Sequence, residues 1–418
     1  NNYKQLIWLP FTAYIIYLLY RLAWSDDLSS FANDSVHYLV MARHYSPWVK
    51  ESAAIASAWL LQDFPPFFPW LLAITGAAHS FLYAHALVAS FGLCSLFLFY
   101  LVARQWLNDK WWAIFPVMVF ALSPGFLLGL QGILSESLFL FLTLFFFWQY
   151  SPENKKSTTK IILLSILLSA ILLTRTVGIA LCFALLAQAF FASISDKKIH
   201  FQSILLAAFS LAVYFLLMAI WGPVKESHYL DVLIAYVSGQ GLSAEGTGYV
   251  YQFSFAYQLK SVLDNWTRFW LLFLVDEYSP IHIVATLLLF ISLCGLLIRL
   301  VQNKYDAWYT LFYMLTIVSW PHPGQMFRLI FPIMPLLLVY GGYAIIFLSG
   351  KTLHNRKKQL LPAAFYLFVL AAILPSHAFI NTVLNEASAR HMIPIHEYFH
   401  RADPERAHKE LRIHNQML

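Results

Sequence analysis

The chain is strung with apolar runs of roughly 20 residues, the length an α-helix needs to cross the hydrocarbon core of a bilayer. About eleven candidate spans follow from the sequence: 6–24, 81–103, 111–128, 136–150, 161–173, 176–192, 204–221, 281–300, 308–320, 329–348 and 360–374. The runs are continuous rather than alternating, which excludes a transmembrane β-barrel. Only 11% of the 418 residues are charged, against about 25% in soluble proteins. The mean hydropathy of +0.64 demands more apolar burial than a soluble core could supply. An all-α polytopic membrane protein is predicted. Cys94, Cys182 and Cys294 all sit inside apolar runs, which argues against a disulfide framework or a Cys-based zinc site. The chain opens at Asn1 rather than Met, which predicts a short missing leader. Its first run is too long for a signal-peptide core.

Loop charges set the orientation. With the N-terminus cytoplasmic, the inner segments carry 14 basic residues against four acidic ones, and the rest of the chain 13 against 17. That asymmetry across short loops matches the positive-inside rule and predicts N-in, C-out. It also accounts for the basic pI of about 9.0 without nucleic acid as a partner. Three long segments then fall outside, 25–80, 222–280 and the tail 375–418, with ten of the 15 histidines. The expected organisation is a membrane domain over 1–374 followed by that tail, with any chemistry on the extracytoplasmic face.

The first outer segment carries the most information. Asp26 and Asp27 follow the first run, and residues 35–46 have a helix-compatible pattern that Asn33 or Asp34 would cap. A second helix-like stretch, 52–62, leads into Asp63-Phe64-Pro65-Pro66-Phe67-Phe68-Pro69-Trp70. Such segments, moderately polar and rich in Trp and Tyr, are expected to lie in the interface rather than cross it. An Asp after the first span (Asp34), a Tyr four residues on (Tyr38), an Ala, and Pro65-Pro66-Phe67 before the second span form a pattern. It resembles the GT-C superfamily of glycosyltransferases, above all the aminoarabinose and protein O-mannosyl transferases. Three further stretches echo it: Leu134-Ser135-Glu136-Ser137-Leu138-Phe139, Leu173-Thr174-Arg175-Thr176-Val177-Gly178, and Phe327-Arg328-Leu329-Ile330-Phe331-Pro332-Ile333-Met334-Pro335. Each falls at an outer span end, and the resemblance covers roughly residues 1–350.

The resemblance implies a GT-C-like bundle with interfacial helices in the first outer loop. It implies an inverting transferase that takes sugar from a polyprenyl-phosphate donor and delivers it to a hydroxyl or amine acceptor. Asp34 is then the base, with Asp26 and Asp27 as alternates. Arg175 and Arg328 would hold the donor phosphate, since guanidinium binds phosphate oxygens bidentately. Tyr38, Arg43, Glu136 and His322 are candidate substrate contacts, and Glu136 leaves room for a divalent metal. The partners are the lipid-linked donor, a lipid, glycan or protein acceptor, and membrane lipids of a bacterial plasma membrane. Plainer roles stand beside these: Asp34 as a helix cap, each Arg snorkelling or paired with Glu136, Glu136 capping its own helix, His322 stiffening a turn. Where the aminoarabinose enzymes place Lys before Pro-Pro, this chain has Phe64.

Two readings from other classes compete. Outer-face arginines would also serve a transporter or flippase of lipid-linked substrates. In the tail, His396-Glu397-Tyr398-Phe399-His400 has the i, i+4 spacing of a zinc protease helix. The motif lies too close to the end of the chain for a substrate cleft, so a solvated helix is the expectation, with His396 and His400 as weak metal ligands. The orientation is directly testable. A cysteine introduced at Lys156 or Lys357 is expected to be shielded from an impermeant thiol reagent in intact cells, and one at Gly246 to react. Outside labelling at Lys357 would overturn the topology.

Overall fold

The computed structural model describes residues 12–17, 33–48, 64–107, 112–150, 157–197, 201–221, 242–243, 250–251, 254–271, 280–320, 326–349 and 361–374. Asp26, Asp27, stretch 52–62, His322, His396 and His400 lie outside them. The described chain is helical apart from one pair of two-residue strands, β1 (Leu242–Ser243) and β2 (Val250–Tyr251), joined antiparallel.

In chain order the helices are α1 (Asn33–Tyr45), α2 (Phe67–Ile74), α3 (Phe81–Leu107), α4 (Ile114–Ala121), α5 (Pro124–Gly129), α6 (Glu136–Gln149), α7 (Thr158–Thr174) and α8 (Ile179–Asp196). There follow α9 (Phe201–Trp221), α10 (Phe255–Leu271), α11 (Pro280–Val301), α12 (Tyr305–Val318), α13 (Met326–Ile330), α14 (Met334–Ser349) and α15 (Leu361–Leu374). Among the described residues five segments are long and apolar enough to cross a bilayer: Phe81–Leu107, Thr176–Ser195, Phe201–Ile220, His282–Val301 and Met326–Ser349. This is an integral membrane protein. Helices α6, α7 and α15 are shorter apolar rods.

Run 111–128, predicted as one span, is broken into α4 and α5. Ser123 Oγ donates to the Phe120 carbonyl at 2.7 Å and accepts from Phe126 N at 3.2 Å. Pro124, lacking an N–H, sits at the start of α5, where a missing donor costs nothing. A Ser-Pro cap therefore restarts the helix inside an apolar run. Helix α1, expected to lie in the interface, packs on α2 with Tyr38, Leu39, Met41 and Ala42 buried.

Large apolar side chains such as Leu163, Phe190, Phe215, Phe290 and Leu297 face outward, as lipid-facing residues should. Inside, where packing and hydrogen bonds must hold helices together, tyrosines do much of the joining. Tyr366 donates to the Leu338 carbonyl at 2.6 Å, Tyr313 to that of Leu329 at 2.7 Å, and the Tyr340 and Thr310 hydroxyls share a bond at 3.0 Å. Gly295 lets α11 lie directly on the α14 backbone, since a Cβ there would strike the Tyr340 carbonyl.

Arg299 and Asp306, counted above among the loop charges, are a buried pair across the α11–α12 turn. Nε donates to Oδ2 and Nη2 to Oδ1, each at 2.7 Å. The guanidinium also lies over the Trp106 ring, 4.6 Å from its centroid. Asp306→Ala leaves that cation buried and unpaired, so it should cost about 3–5 kcal/mol. The joint replacement Arg299→Met with Asp306→Leu should recover most of it. Thermal unfolding in detergent reads both, and a double variant as unstable as the single would refute the pairing argument.

Candidate active site

Helix ends gather at one side of the bundle. Asp34 stands in the first turn of α1, where a carboxylate favours the helix dipole. Tyr38 lies one turn on, on the same face. Glu136 opens α6 directly after Ser135. Arg175 occupies the extended junction after α7, with φ −152° and ψ 132°. Its carbonyl accepts from Gly178 N at 2.9 Å, closing the 3₁₀ turn Thr176–Gly178 that leads into α8. Arg328 belongs to α13, which a 3₁₀ turn containing Pro332 separates from α14. Tyr313 anchors α13 through the Leu329 carbonyl, and α10 packs against it with Phe269 beside Phe327.

These side chains meet. A single oxygen of Glu136, Oε1, accepts from Arg328 Nε at 2.9 Å and forms ion pairs with Arg175 Nη1 at 2.6 Å and Arg328 Nη2 at 2.8 Å. Arg328 Nη1 turns the other way and donates to Asp34 Oδ2 at 2.8 Å. Arg175 Nη1 also reaches Ser135 Oγ at 3.5 Å, and Ser135 shares a 2.9 Å bond with the Tyr38 hydroxyl. Burial, reinforced by the Glu136 charge, raises the Tyr38 pKa above its ordinary value. That phenol therefore stays neutral and acts as a hydrogen-bonding group.

Depth orders the cluster. Glu136 is 2% exposed, Arg175 15%, Arg328 17% and Asp34 20%. Two cations and two carboxylates balance to zero. Behind them, a cavity of ≈ 20 Å³ bounded by Leu134, Phe327 and Phe331 with Glu136 and Arg328 has room for about one water. That cavity is too small for a sugar, and Asp34 and Arg328 keep partial exposure outside it. This donor set does not fit a divalent cation, because guanidinium has no lone pair to offer. Both carboxylates already serve arginines, and no group of three or more His, Cys, Asp or Glu suited to a metal occurs among the described residues.

Asp34, Tyr38, Glu136, Arg175 and Arg328 thus come together. Arg43 does not join them. Nine residues beyond Asp34 it points to the opposite face of α1, and its Nε donates to the Ala78 carbonyl at 3.2 Å. Phe64, in the place of the expected Lys, packs its ring 5.0 Å from that of Tyr38. Ser135 and Tyr313 were not singled out by the sequence. Ser135 lies inside a matched motif, whereas Tyr313 is one aromatic in an apolar run and carries no signal.

No protein-family profile matches the chain, and no curated protein sequence does. Solved structures do match. The oligosaccharyltransferase of Archaeoglobus fulgidus, tethered to an acceptor peptide containing an NVT sequon, superposes with a TM-score of 0.50 at 14% identity. The match covers 89% of this chain and 55% of that one, so the chain spans little more than half the relative's length. ArnT from Cupriavidus metallidurans bound to undecaprenyl phosphate gives 0.49 at 14% identity, over 90% of this chain and 72% of that one. Over the matched residues the chain shares the fold of that oligosaccharyltransferase.

Depth makes a prediction about stability. Removing Glu136 strands Arg175 and leaves Arg328 with Asp34 alone, so Glu136→Ala should destabilise by about 3–5 kcal/mol. Asp34→Ala, which leaves Arg328 paired with Glu136, should cost less. Thermal unfolding of the two variants side by side decides it, and equal losses would contradict the burial order.

Proposed function

We propose that the protein is an inverting GT-C glycosyltransferase that moves a sugar from a polyprenyl-phosphate donor to a hydroxyl or amine acceptor at the extracytoplasmic face. The observation that carries this reading is the convergence of Asp34, Arg175 and Arg328, from three separate elements, at one end of a GT-C bundle. A lipid-linked donor keeps its tail in the bilayer and its phosphate at the interface, the level expected of span ends such as those that carry these residues. The shared fold with an oligosaccharyltransferase caught with its acceptor peptide supports sugar transfer as the reaction class.

The chemistry is a single displacement. The acceptor O–H proton passes to the Asp34 carboxylate as the acceptor oxygen bonds to the anomeric carbon. The bond from that carbon to the donor phosphate oxygen breaks, and its electron pair leaves with the phosphate. Attack opposite the leaving group inverts the anomeric configuration. Charge grows on the departing phosphate, and preplaced cations act where charge develops. Arg175 and Arg328 are held for that task by Glu136. Tyr38, neutral and bonded to Ser135, stiffens the wall beside Asp34.

Asp34→Asn keeps the shape and the capping capacity of the residue but removes the proton acceptor. Transfer should fall by about 10²–10⁴-fold while the protein stays folded, whereas a mere cap would tolerate Asn. Arg175→Ala should weaken donor binding as well as turnover. Transfer by purified protein from a radiolabelled polyprenyl-phosphate sugar measures both, and near-normal turnover in Asp34→Asn would remove Asp34 as the base.

A further inference from the structure

The site at rest is short-circuited. The acidic group in position to serve as a base is bound to the cation in position to hold phosphate, Asp34 Oδ2 to Arg328 Nη1 at 2.8 Å. With that oxygen taken up by the guanidinium N–H, less of the carboxylate is free to meet a hydroxyl carried in by an acceptor. A guanidinium facing a carboxylate must in turn share its donors with any arriving anion.

The two carboxylates hold Arg328 differently. Glu136 takes two of its nitrogens, Nε and Nη2, on one buried oxygen, and through that oxygen fixes Arg175 as well. Asp34 takes the remaining nitrogen with one contact, at the accessible edge. If Asp34 leaves, Arg328 keeps its orientation. If Glu136 left, two buried cations would lose their shared anchor. One partner is fixed and the other is replaceable, and the replaceable one faces the side from which ligand comes.

We propose that the donor phosphate takes the place of Asp34 on Arg328 Nη1, and that the carboxylate so released is the base. This rests on the transferase reading and adds an order to it. A phosphodiester carries one negative charge, so it replaces one carboxylate charge for another and the anchored cluster of Arg175, Arg328 and Glu136 stays balanced. No covalent bond changes in the exchange. Asp34 and the phosphate cannot both occupy Nη1 closely without strong repulsion between like charges. Phosphate binding therefore frees Asp34 at the moment a sugar is in place, and without donor the acceptor meets a carboxylate already engaged. Glu136 is a positioning residue, acting through the two arginines.

The test uses undecaprenyl phosphate as the probe, bound to the full-length protein in lipid nanodiscs without acceptor. Asp34→Asn weakens the competitor for Nη1, so its affinity for the probe should rise by at least about tenfold, the scale of one charge-assisted hydrogen bond. Glu136→Gln should lower affinity, since the arginines lose their anchor, and should shift KM for donor more than Asp34→Asn does. A second measurement needs no variant. Saturating probe should increase labelling of Asp34 by a hydrophobic carbodiimide in the wild-type protein, read by peptide mass spectrometry, whereas simple coverage of the site would decrease it. Unchanged or weaker binding in a folded Asp34→Asn protein overturns the exchange, as does protection of Asp34 or no probe binding by the wild type. Loss of tightening with intact glycosyl transfer would refute the exchange alone. Tightening without transfer from any lipid-phosphate sugar would refute the transferase reading alone.

Discussion

Everything at the site end of this bundle depends on one buried carboxylate oxygen. Glu136 Oε1 lies within 2.9 Å of three nitrogens from two arginines, one of which lies 192 residues away in the chain. In a medium that solvates ions poorly, none of these charges is tolerable alone. An Arg in a span costs about 2.5–3.5 kcal/mol on insertion scales and usually finds a partner. Pairing then becomes a folding instruction. It draws the α7–α8 junction and α13 onto the start of α6, and Arg328 extends the tie to α1. Four elements distant in sequence are thereby fixed around one atom, with α10 and the Tyr313 hydroxyl steadying α13 from outside the cluster.

The same rule acts at the far end of α12, with a different outcome. Arg299 and Asp306 pair two-for-two, and Trp106 and Tyr343 cover the guanidinium at 4.6 and 5.0 Å. Every strong contact there is internal, so the pair can only hold α11, α12 and α3 together. At the site end the pairing is unequal, with one oxygen oversubscribed and one carboxylate singly bound. The chemical difference between a structural ion pair and a candidate active site lies in that imbalance and in which partner reaches the surface.

Much of this was legible in the sequence, for physical reasons that can be named. Continuous apolar runs fix helices by length, and most predicted spans match observed helices within a few residues. Asp34, Glu136, Arg175 and Arg328 stood out because each falls in a motif that resembles those of GT-C transferases, and the arginines also because a charge in a span is costly. Their mutual arrangement was not legible. Nothing in a linear pattern says that Arg328 binds Glu136 and Asp34 at once, because the contact depends on helix order in the bundle. The break at Ser123-Pro124 was missed because hydropathy outweighed cap chemistry in a run rich in Phe and Val. Arg299 and Asp306 read as loop charges because they flank a turn, although their side chains fold inward. Arg43 failed to join the site for a reason the sequence did contain, its half-turn offset from Asp34 on α1.

Burial also separates the two acidic residues by role. Both lie against Arg328, so proximity to a cation cannot tell a base from an anchor. A base must reach a proton carried in by the acceptor, and Glu136, at 2% exposure behind two arginines, has no such access. Asp34 has more access, although one of its oxygens is taken up by Arg328. A membrane site that must hold phosphate faces a conflict: bare arginines are costly to bury, and fully neutralised ones bind anions poorly. Dividing the counter-charge between a deep, shared oxygen and a shallow, singly bonded one resolves it. In the exchange proposed above, the deep contact keeps the cations in place and the shallow contact gives way to an incoming anion.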